Sequence, residues 1–503
     1  MKNTLYKIGL LSVLALTSVS CDDFFDVNID PNRPVEENLS LNVKLPAALA
    51  ATASYETTVL NQIGGLWGGY WGTSNEGVNA FSTLKMYNGP GLRDARDGTP
   101  VWENNYNNLL FYKKVLDQAI VEDARFYAGI AKIMMAHHYF TLVDFYNDVP
   151  FDDALQGSSI LYPRYESGKT VYEKSINLIN EGIEDIKVAS LQPTNDDILF
   201  KGDKLKWFRF ANTLKLRALL TQSEVSTQAA YISAELAKIK AEGSGFITED
   251  AAVNPGYLNT LGKMNPLYET FYRNNAGVAV ANHTNIRPTQ FLISQYKELA
   301  DPRLAQNYTE VKGDFKGVIF GENSILEDYA AANTSAFKGP NENANKPAGF
   351  VKAFGQGTIM LSLAEANFMQ AEANLRGWID GTADVYYKNA VQASFNYLFN
   401  VSNYDVNSYL NQDKVKLALA SNKLERVLGQ KWLALAGINN IRAWNDFRRM
   451  GYPKFPNSAT AVNRETYPLR FMYPETEINS NAEQVLKAGN DDILNAKIWW
   501  DVK

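Results

Sequence analysis

A single cysteine, Cys21, occurs in the 503 residues of this sequence, so no intramolecular disulfide can form and packing must hold the fold together. No apolar run after Cys21 approaches the roughly 20 residues that a transmembrane helix needs. Basic residues are not in excess either: 49 Lys and Arg stand against 55 Asp and Glu, for a formal net charge of −6. This balance argues against nucleic acid or an anionic membrane surface as the main partner.

Signatures of catalysis are also missing. The sequence has no GxSxG nucleophile elbow, no GxxxxGK(S/T) phosphate loop and no HExxH zinc motif. His137 falls on the apolar face of a predicted helix, which predicts a buried, hydrogen-bonded core histidine. The adjacent His138 points in another direction, which is poor geometry for a metal site. We therefore expect no enzymatic activity, no metal and no cofactor.

The N-terminal segment has the pattern of a secretion signal that ends at the cysteine. Two early lysines precede an apolar run over residues 8–19, which is too short to span a bilayer but suits a signal peptide. We expect residues 1–20 to be a lipoprotein signal peptide, Cys21 to carry the lipid (palmitate), and residues 21–40 to tether that anchor to the body. The alternative is an ordinary secretory signal with an incidental cysteine.

Helical periodicity dominates the rest of the chain, and an early helix is expected to start near Pro46. The stretch from Ala371 through Gly377 to Ala390 has the residue placement of a tetratricopeptide-type helix pair. The prediction is a mainly α fold: one compact helical domain over residues 41–503, with tetratricopeptide-like helix pairs, long irregular loop insertions and little β structure. The periodic segments lie near residues 102–120, 126–140, 172–186, 207–218, 361–375, 386–397 and 424–435.

Two regions interrupt the helical pattern, residues 61–100 and residues 243–357. Both are rich in glycine and asparagine, and loops this long inside a compact chain are usually functional or disordered. Their aromatic content argues against disorder. The two regions are therefore the predicted location of a binding site.

The predicted site combines aromatic rings, which can stack on a sugar face or an apolar side chain, with amides that both donate and accept hydrogen bonds. Glycines at 64, 65, 68 and 69 are expected to let the backbone and a ligand approach closely. The alternative is that Trp67 and Trp71 fill the helical core. The first region supplies Trp67, Tyr70, Trp71, Asn75, Asn79, Phe81 and Tyr87, and the second supplies Tyr268, Tyr272, Arg273, Asn282 and Arg287.

Adjacent arginines at 448 and 449 could clamp an anionic ligand. We favour a structural role, in which they satisfy backbone carbonyls and carboxylates such as Glu477. Glu365 and Glu372 lie two turns apart on one predicted helix, where a solvated or helix-pairing role is the expectation.

Several segments together resemble the SusD/RagB family of nutrient-binding outer-membrane lipoproteins of Bacteroidetes, and its second SusD-like branch in particular. The resemblance runs from the signal to the last residues, and the C-terminal motifs are the most specific. The segments are VDFYNDVPF at 143–151, KWFRFANTLKLR at 206–217, LAEA at 363–366, QKW at 430–432, WNDFRRMGYP at 444–453, RFMYPE at 470–475 and WWD at 499–501.

This resemblance implies a helical fold with tetratricopeptide-like pairs and a lipid-anchored position on the outer membrane, at the cell surface. It also implies a partner, a SusC-like TonB-dependent barrel on which the lipoprotein sits as a hinged lid. The implied function is capture of an oligosaccharide or a peptide for transport. Two alternatives remain open, a non-catalytic helical-repeat scaffold of an envelope complex and a surface glycan hydrolase.

Overall fold

The computed structural model describes residues 39–94, 99–343, 346–461 and 465–503. The predicted signal peptide, Cys21 and nearly all of the predicted tether lie outside these residues. Within them, α-helices dominate and the strands are few and short. The prediction of a mainly α fold with little β structure is therefore confirmed.

The helices carry most of the buried apolar surface. In chain order they are α1 Leu41–Tyr55, α2 Asn61–Trp67, α3 Ser82–Lys85, α4 Gly89–Leu92, α5 Val101–Val121, α6 Arg125–Tyr146, α7 Gly168–Val188, α8 Lys204–Thr221, α9 Ala229–Glu242, α10 Pro266–Phe271, α11 Ala281–Asn285, α12 Gln290–Glu298, α13 Arg303–Asn307, α14 Leu363–Leu375, α15 Ala383–Phe399, α16 Asn407–Leu410, α17 Lys423–Leu435, α18 Ile441–Met450, α19 Glu475–Ser480 and α20 Ala482–Ala488. A π-helical turn, Glu56–Leu60, joins α1 to α2.

The strands of the described residues pair as separate two-stranded antiparallel sheets, β1 with β5, β2 with β3, and β4 with β6. In the β1–β5 sheet, Trp71 lies opposite Pro288 and Thr73 opposite Ile286. The strands are β1 Trp71–Thr73, β2 Val149–Pro150, β3 Tyr165–Glu166, β4 Ala251–Val253, β5 Ile286–Pro288 and β6 Thr358–Leu361.

Helix α7 shows how local sequence sets an element. Ser167 is its N-cap and accepts a hydrogen bond from the backbone N–H of Thr170 at 3.3 Å, which satisfies one of the unpaired donors of the first turn. Its apolar residues recur every three to four positions and are buried against α6. Those residues are Val171, Tyr172, Ile176, Ile179, Ile183 and Ile186.

Helices α6 and α7 approach each other closely because glycines face each other at their crossing. A Cβ atom on Gly129 would lie 2.5 Å from the carbonyl oxygen of Gly182, and one on Gly182 would lie 2.7 Å from that of Gly129. Any side chain at either position would force the two helices apart.

The tetratricopeptide-like pair predicted around Gly377 is present as α14 and α15. Gly377 adopts a φ of 75° just after α14 ends, a left-handed conformation that glycine adopts without strain. Ala371 and Ala390, the small residues expected at the crossing, are both fully buried. The two helices pack against each other, and α14 also packs against α17.

Helix α1 begins at Leu41 and not near Pro46, which lies in its interior. A proline there removes the N–H that would bond the carbonyl of Asn42. Because Asn42 is exposed, water can satisfy that carbonyl, so the helix continues past the proline. The helix start predicted from Pro46 was therefore about one turn too late in the chain.

The adjacent arginines of α18 have structural partners. Both Nη atoms of Arg449 donate to the Glu372 carboxylate, at 2.5 and 2.9 Å, and Nη2 also donates to Asp446 at 2.8 Å. Lys431 pairs with the same Asp446 at 2.9 Å. All four side chains are buried, so Glu372 is a helix-pairing residue and not a solvated one. Arg449 is therefore not available to clamp an anionic ligand.

Arg448 is held by backbone carbonyls and by the Asn445 side chain, to which its Nη2 donates at 2.7 Å. It donates through Nη1 to the carbonyl oxygens of Asp144 and Leu469, each at 2.7 Å. The expected role is correct, but the expected carboxylate is not, since Glu477 instead accepts a hydrogen bond from the Tyr165 hydroxyl at 2.6 Å. Helix α18 therefore joins the N-terminal helices to the C-terminal segment.

Candidate ligand-binding site

The two irregular regions predicted to form a site do pack together. Strands β1 and β5 bring them into one antiparallel sheet, and the pairing continues past β1, where Ser74 donates its N–H to the carbonyl of Asn285 at 2.8 Å. On the other side, the N–H of Thr289 donates to the carbonyl of Tyr70 at 2.8 Å. Residues more than 200 positions apart in the chain therefore form one wall.

The aromatic residues at the start of the first region are core residues. Trp67 is 2% exposed, and Tyr70 and Trp71 have no exposed surface. Tyr70 stacks on Trp432 at 4.8 Å between ring centroids and donates its hydroxyl to the Trp432 carbonyl at 2.7 Å. Trp71 packs against Phe271. Rings without exposed surface cannot stack on a ligand in this conformation, so the core-filling alternative describes them.

Their burial has a clear physical reason. The helical run continues through α2 to Trp67, so the irregular segment begins at Gly68 and not at residue 61. A Cβ atom on Gly64 would lie 2.1 Å from the backbone nitrogen of Ile441, and one on Gly65 would lie 2.2 Å from the Trp71 ring. The close approach that the glycines were expected to allow is therefore made by α18 and by Trp71, not by a ligand.

Other residues predicted to line the site also make contacts within the protein that hold them in place. Tyr87 donates its hydroxyl to the side-chain oxygen of Asn457 at 2.6 Å. Tyr272 is fully buried and donates to Glu342 at 2.6 Å, and Tyr268 packs edge-on against it. Arg287 is 4% exposed and donates to Thr334 and to nearby carbonyls. These residues are therefore buried support for the wall and do not face solvent.

Five predicted residues reach the surface at the meeting point of the two regions. Asn79 is exposed, and Asn75, Phe81, Arg273 and Asn282 are partly exposed. Their segments touch, because α11 packs against the turn at residues 75–77, where a Cβ atom on Gly77 would lie 2.6 Å from that of Asn285. We call this surface the amide patch.

The amide patch has a third component that sequence reasoning missed. The side chain of Asn75 bonds both backbone groups of Leu326. Its Nδ2 donates to the Leu326 carbonyl at 2.5 Å, and its Oδ1 accepts from the Leu326 N–H at 3.1 Å. The Glu76 carboxylate accepts from the N–H of Ala331 at 2.9 Å. Leu326 and Ile325 are exposed by 40% and 77%. An Ile–Leu pair within a polar stretch was the sequence signal.

The charges beneath the patch are tuned by burial. Burial lowers the pKa of Lys85 to about 8, and its ammonium donates to the Val78 carbonyl at 2.5 Å and to Thr73 at 3.2 Å. Burial likewise lowers the pKa of Arg287 to about 10, against the opposing effect of Glu76. The exposed surface combines the amides and apolar groups with the carboxylates of Glu76, Glu327 and Asp328.

Around Arg273, burial and neighbouring charges also set the pKa of the ionisable groups. Burial acts to raise the pKa of Glu342, but hydrogen bonds from Tyr272 and Gly339 and the charge of Arg273 outweigh it, so that pKa is lowered. Arg273 donates to the Gly277 carbonyl at 2.7 Å and pairs with Glu342 at 3.4 Å. Its charge is therefore partly compensated before any ligand arrives.

The described residues contain neither a cluster of metal-ligating side chains nor a membrane-spanning helix. In that part of the chain, no group of three or more His, Cys, Asp and Glu side chains is placed to hold a metal ion. No helix there is long and apolar enough to cross a membrane. His137 is a core residue, as expected, with Nε2 2.8 Å from the Glu56 carboxylate.

Residues 74–474 match the model of the second SusD-like family, described as starch-binding and associating with the outer membrane. The chain belongs to this SusD-like family. Membership supports a nutrient-binding role and an association with the outer membrane. Comparison with curated proteins gave no significant match.

Solved structures share the fold. A SusD homologue from Bacteroides uniformis is 23% identical, with a TM-score of 0.71 over 92% of this chain and 99% of that one. One from Bacteroides thetaiotaomicron is 21% identical, with a TM-score of 0.72 over 93% and 100%. A chitin-binding SusD homologue from Flavobacterium johnsoniae is 21% identical, with a TM-score of 0.72 over 91% and 99%.

Proposed function

We propose that this protein is a cell-surface lipoprotein that captures an oligosaccharide at the amide patch and delivers it to a SusC-like TonB-dependent outer-membrane transporter. The observation that carries the proposal is the family match over residues 74–474 together with exposed amides where the two irregular regions meet. A peptide is the alternative ligand.

The chemistry of the patch favours a neutral, hydroxyl-rich ligand. Asn79 and Asn282 offer carboxamides that donate and accept, as paired sugar hydroxyls require. Phe81 and Ile325 offer apolar surface for sugar C–H faces. The chitin-binding relative is consistent with this class of ligand.

The test is binding of the full-length, detergent-solubilised protein to arrays of neutral oligosaccharides and of peptides. We expect binding to a subset of glycans that falls about 10-fold or more in an Asn79→Ala, Asn282→Ala double variant. Asn107→Ala, an exposed asparagine on α5, is the control and should bind normally. Binding to peptides alone would transfer the proposal to a peptide, and binding to neither class would favour the scaffold alternative.

The proposed anchor and partner need separate tests. Cys21 lies outside the described residues, and we expect Cys21→Ala to release the protein from membranes into the soluble fraction. Retention of this variant at high salt would contradict the anchor. Native pull-down in mild detergent should recover a TonB-dependent barrel, and repeated recovery of the lipoprotein alone would argue against that partner.

We also propose that the protein is not an enzyme. Two carboxylates of the patch are committed to the fold, since Glu76 accepts from backbone and Glu342 from Tyr272. Turnover of a bound glycan by the purified protein, abolished by one point substitution, would support a hydrolase instead.

A further inference from the structure

A large cleft lies away from the amide patch, between α9, the loop that follows it, and the α14–α15 pair. Its volume is about 1300 Å³, and none of its lining residues belongs to the segments that form the patch. Small-molecule pockets usually span roughly 300–1,000 Å³, so this cleft has room for a chain of several rings. The cleft is open along one side.

One wall carries a row of carboxamides. Asn389, Gln392 and Asn396 recur at helical spacing along α15 and all face the cleft. Asn389 is exposed, and Gln392 and Asn396 are partly exposed. Gln392 donates to the Tyr404 carbonyl at 2.6 Å and to the Asn396 side-chain oxygen at 2.8 Å, and Asn396 donates to the Ser402 carbonyl at 2.9 Å. These bonds fix the orientation of both side chains, and the Gln392 oxygen and the exposed Asn389 carboxamide are the groups of the row that offer hydrogen bonds to a ligand.

The floor adds two buried carboxamides from α14. Asn367 donates to the Leu363 carbonyl at 2.9 Å, and Gln370 donates to the Ala366 carbonyl at 3.2 Å. Both side chains are more than nine-tenths buried and line the cleft. Since their NH₂ groups are bound to their own helix, their carbonyl oxygens remain as acceptors for a ligand hydroxyl.

Aromatic rings complete the lining. Trp378 and Phe246 are partly exposed and both face the cleft. Tyr386 is held in place because its hydroxyl donates to the Asp380 carbonyl at 2.9 Å. Flat rings beside hydrogen-bonding amides suit a ligand that has both C–H faces and hydroxyl edges.

Most charged groups of the lining are in ion pairs, whereas Arg209 donates to the neutral Ser244 carbonyl at 3.1 Å and to the Thr248 hydroxyl at 3.2 Å. Lys240 pairs with Asp380 at 3.0 Å, and Arg376 pairs with Glu224 at 2.8 Å and with Glu372 at 3.0 Å. A ligand bearing a net charge would therefore compete with existing pairs, whereas a neutral one would not. This selects uncharged polar chemistry over charged peptides.

We propose that this cleft is a second binding site, for a segment of a neutral oligosaccharide several sugar rings long. The site is separate from the amide patch and does not depend on it. Two sites on one molecule would hold a long glycan at two points, which raises the apparent affinity for long chains over short ones.

The test uses full-length, detergent-solubilised protein on an array of neutral oligosaccharides that includes chitooligosaccharides and malto-oligosaccharides of graded length. Trp378→Ala should lower binding of one subset of glycans about 10-fold or more. Asn389→Ala, an exposed position whose loss cannot disturb packing, should lower the same subset several-fold. Tyr162→Ala, an aromatic 68% exposed outside the cleft, is the matched control and should leave every signal unchanged.

The two sites separate in the same experiment. The Asn79→Ala, Asn282→Ala variant should leave binding of short glycans to the cleft intact, so failure of the patch would not remove the cleft signal. Unchanged glycan profiles in both Trp378→Ala and Asn389→Ala would overturn the proposal, as would binding of peptides but no glycan that depends on Trp378.

Discussion

Helix α18 and the amide patch are opposite in how they use polar residues. Helix α18 places Asn445, Asp446, Arg448 and Arg449 within five residues, yet Arg448 and Arg449 are 4% and 3% exposed and bonded to protein groups. In the patch, Asn79 and Asn282 reach the surface. The comparison teaches that the motifs by which the family is recognised maintain the fold, while the surface proposed to bind a ligand is made of sparser loop residues.

The physical reason is the cost of burying charge. An ion taken out of water is tolerated only when good geometry and hydrogen bonds compensate it, so each buried charge fixes the identity of its partners. Arg449, Glu372, Asp446 and Lys431 form such an interdependent set. An exposed amide needs no partner within the protein, because water can satisfy it, so it can serve a ligand.

The strongest test of this contrast is Arg449→Ala. It would remove the cation that Glu372 and Asp446 share, leaving Glu372 with Arg376 and Asp446 with Lys431, and we expect a loss of up to about 5 kcal/mol in the free energy of unfolding, or failure to fold. Differential scanning calorimetry provides the measurement. Arg164→Ala, which removes an arginine with a 75% exposed side chain from its pair with Asp153, is the control and should barely move the melting temperature. A normally stable Arg449→Ala protein with altered ligand affinity would reverse our assignment of α18.

Trp71→Ala tests the inner boundary of the patch. Because Trp71 is fully buried, we expect it to lose about 3–5 kcal/mol of stability, with glycan affinity intact in the folded fraction. Thermal unfolding combined with array binding below the transition separates the two effects. Weaker binding without a lower melting temperature would show that the ring opens to the ligand.

The fold was largely predictable because helical periodicity and motif order are local signals. Residues 371–390 gave the helix pair, and the apolar face around His137 placed that histidine in the core. Exposure was not predictable in the same way. Trp71 packs on Gly65 of α2 and is not left open to a ligand. That arrangement depends on how α18 packs on α2, and those two helices are more than 370 positions apart in the chain.

For the candidate site, the sequence predicted two regions that do meet in the fold, since β1 and β5 join them, but not which of their residues face solvent. Whether these regions bind a ligand stays a prediction. The part played by residues 325–331 depends on hydrogen bonds from Asn75 and Glu76 that no spacing rule encodes. The 1300 Å³ cleft was missed because its lining comes from separate helices whose amides look like ordinary helix surface.

Phe81→Ala sharpens the outer side of the comparison. Phe81 is partly exposed, so we expect a loss of about 1–3 kcal/mol in ligand binding and a much smaller loss of stability than for Trp71→Ala. Isothermal titration with a glycan selected on the array gives the affinity. Phe111→Ala, a 43% exposed ring on α5, is the matched control. Equal affinities for Phe81→Ala and the unaltered protein would exclude Phe81 from the site.

The smallest expected effect concerns Lys85, a charge buried beneath the patch. Unlike the buried charges near α18, its ammonium donates only to neutral oxygens within the described residues. Burial lowers its pKa from 10.5 to about 8, so the folded state binds fewer protons than the unfolded state between these values. Stability should therefore rise as the pH rises through this window, by about 1 kcal/mol between pH 8 and 9. Lys85→Met should remove that rise, whereas Lys187→Met, at an exposed position, should keep it. Chemical denaturation at pH 8 and 9 measures the difference, and an equal rise in Lys85→Met would mean that Lys85 titrates as a solvated lysine and that the patch does not bury a charge.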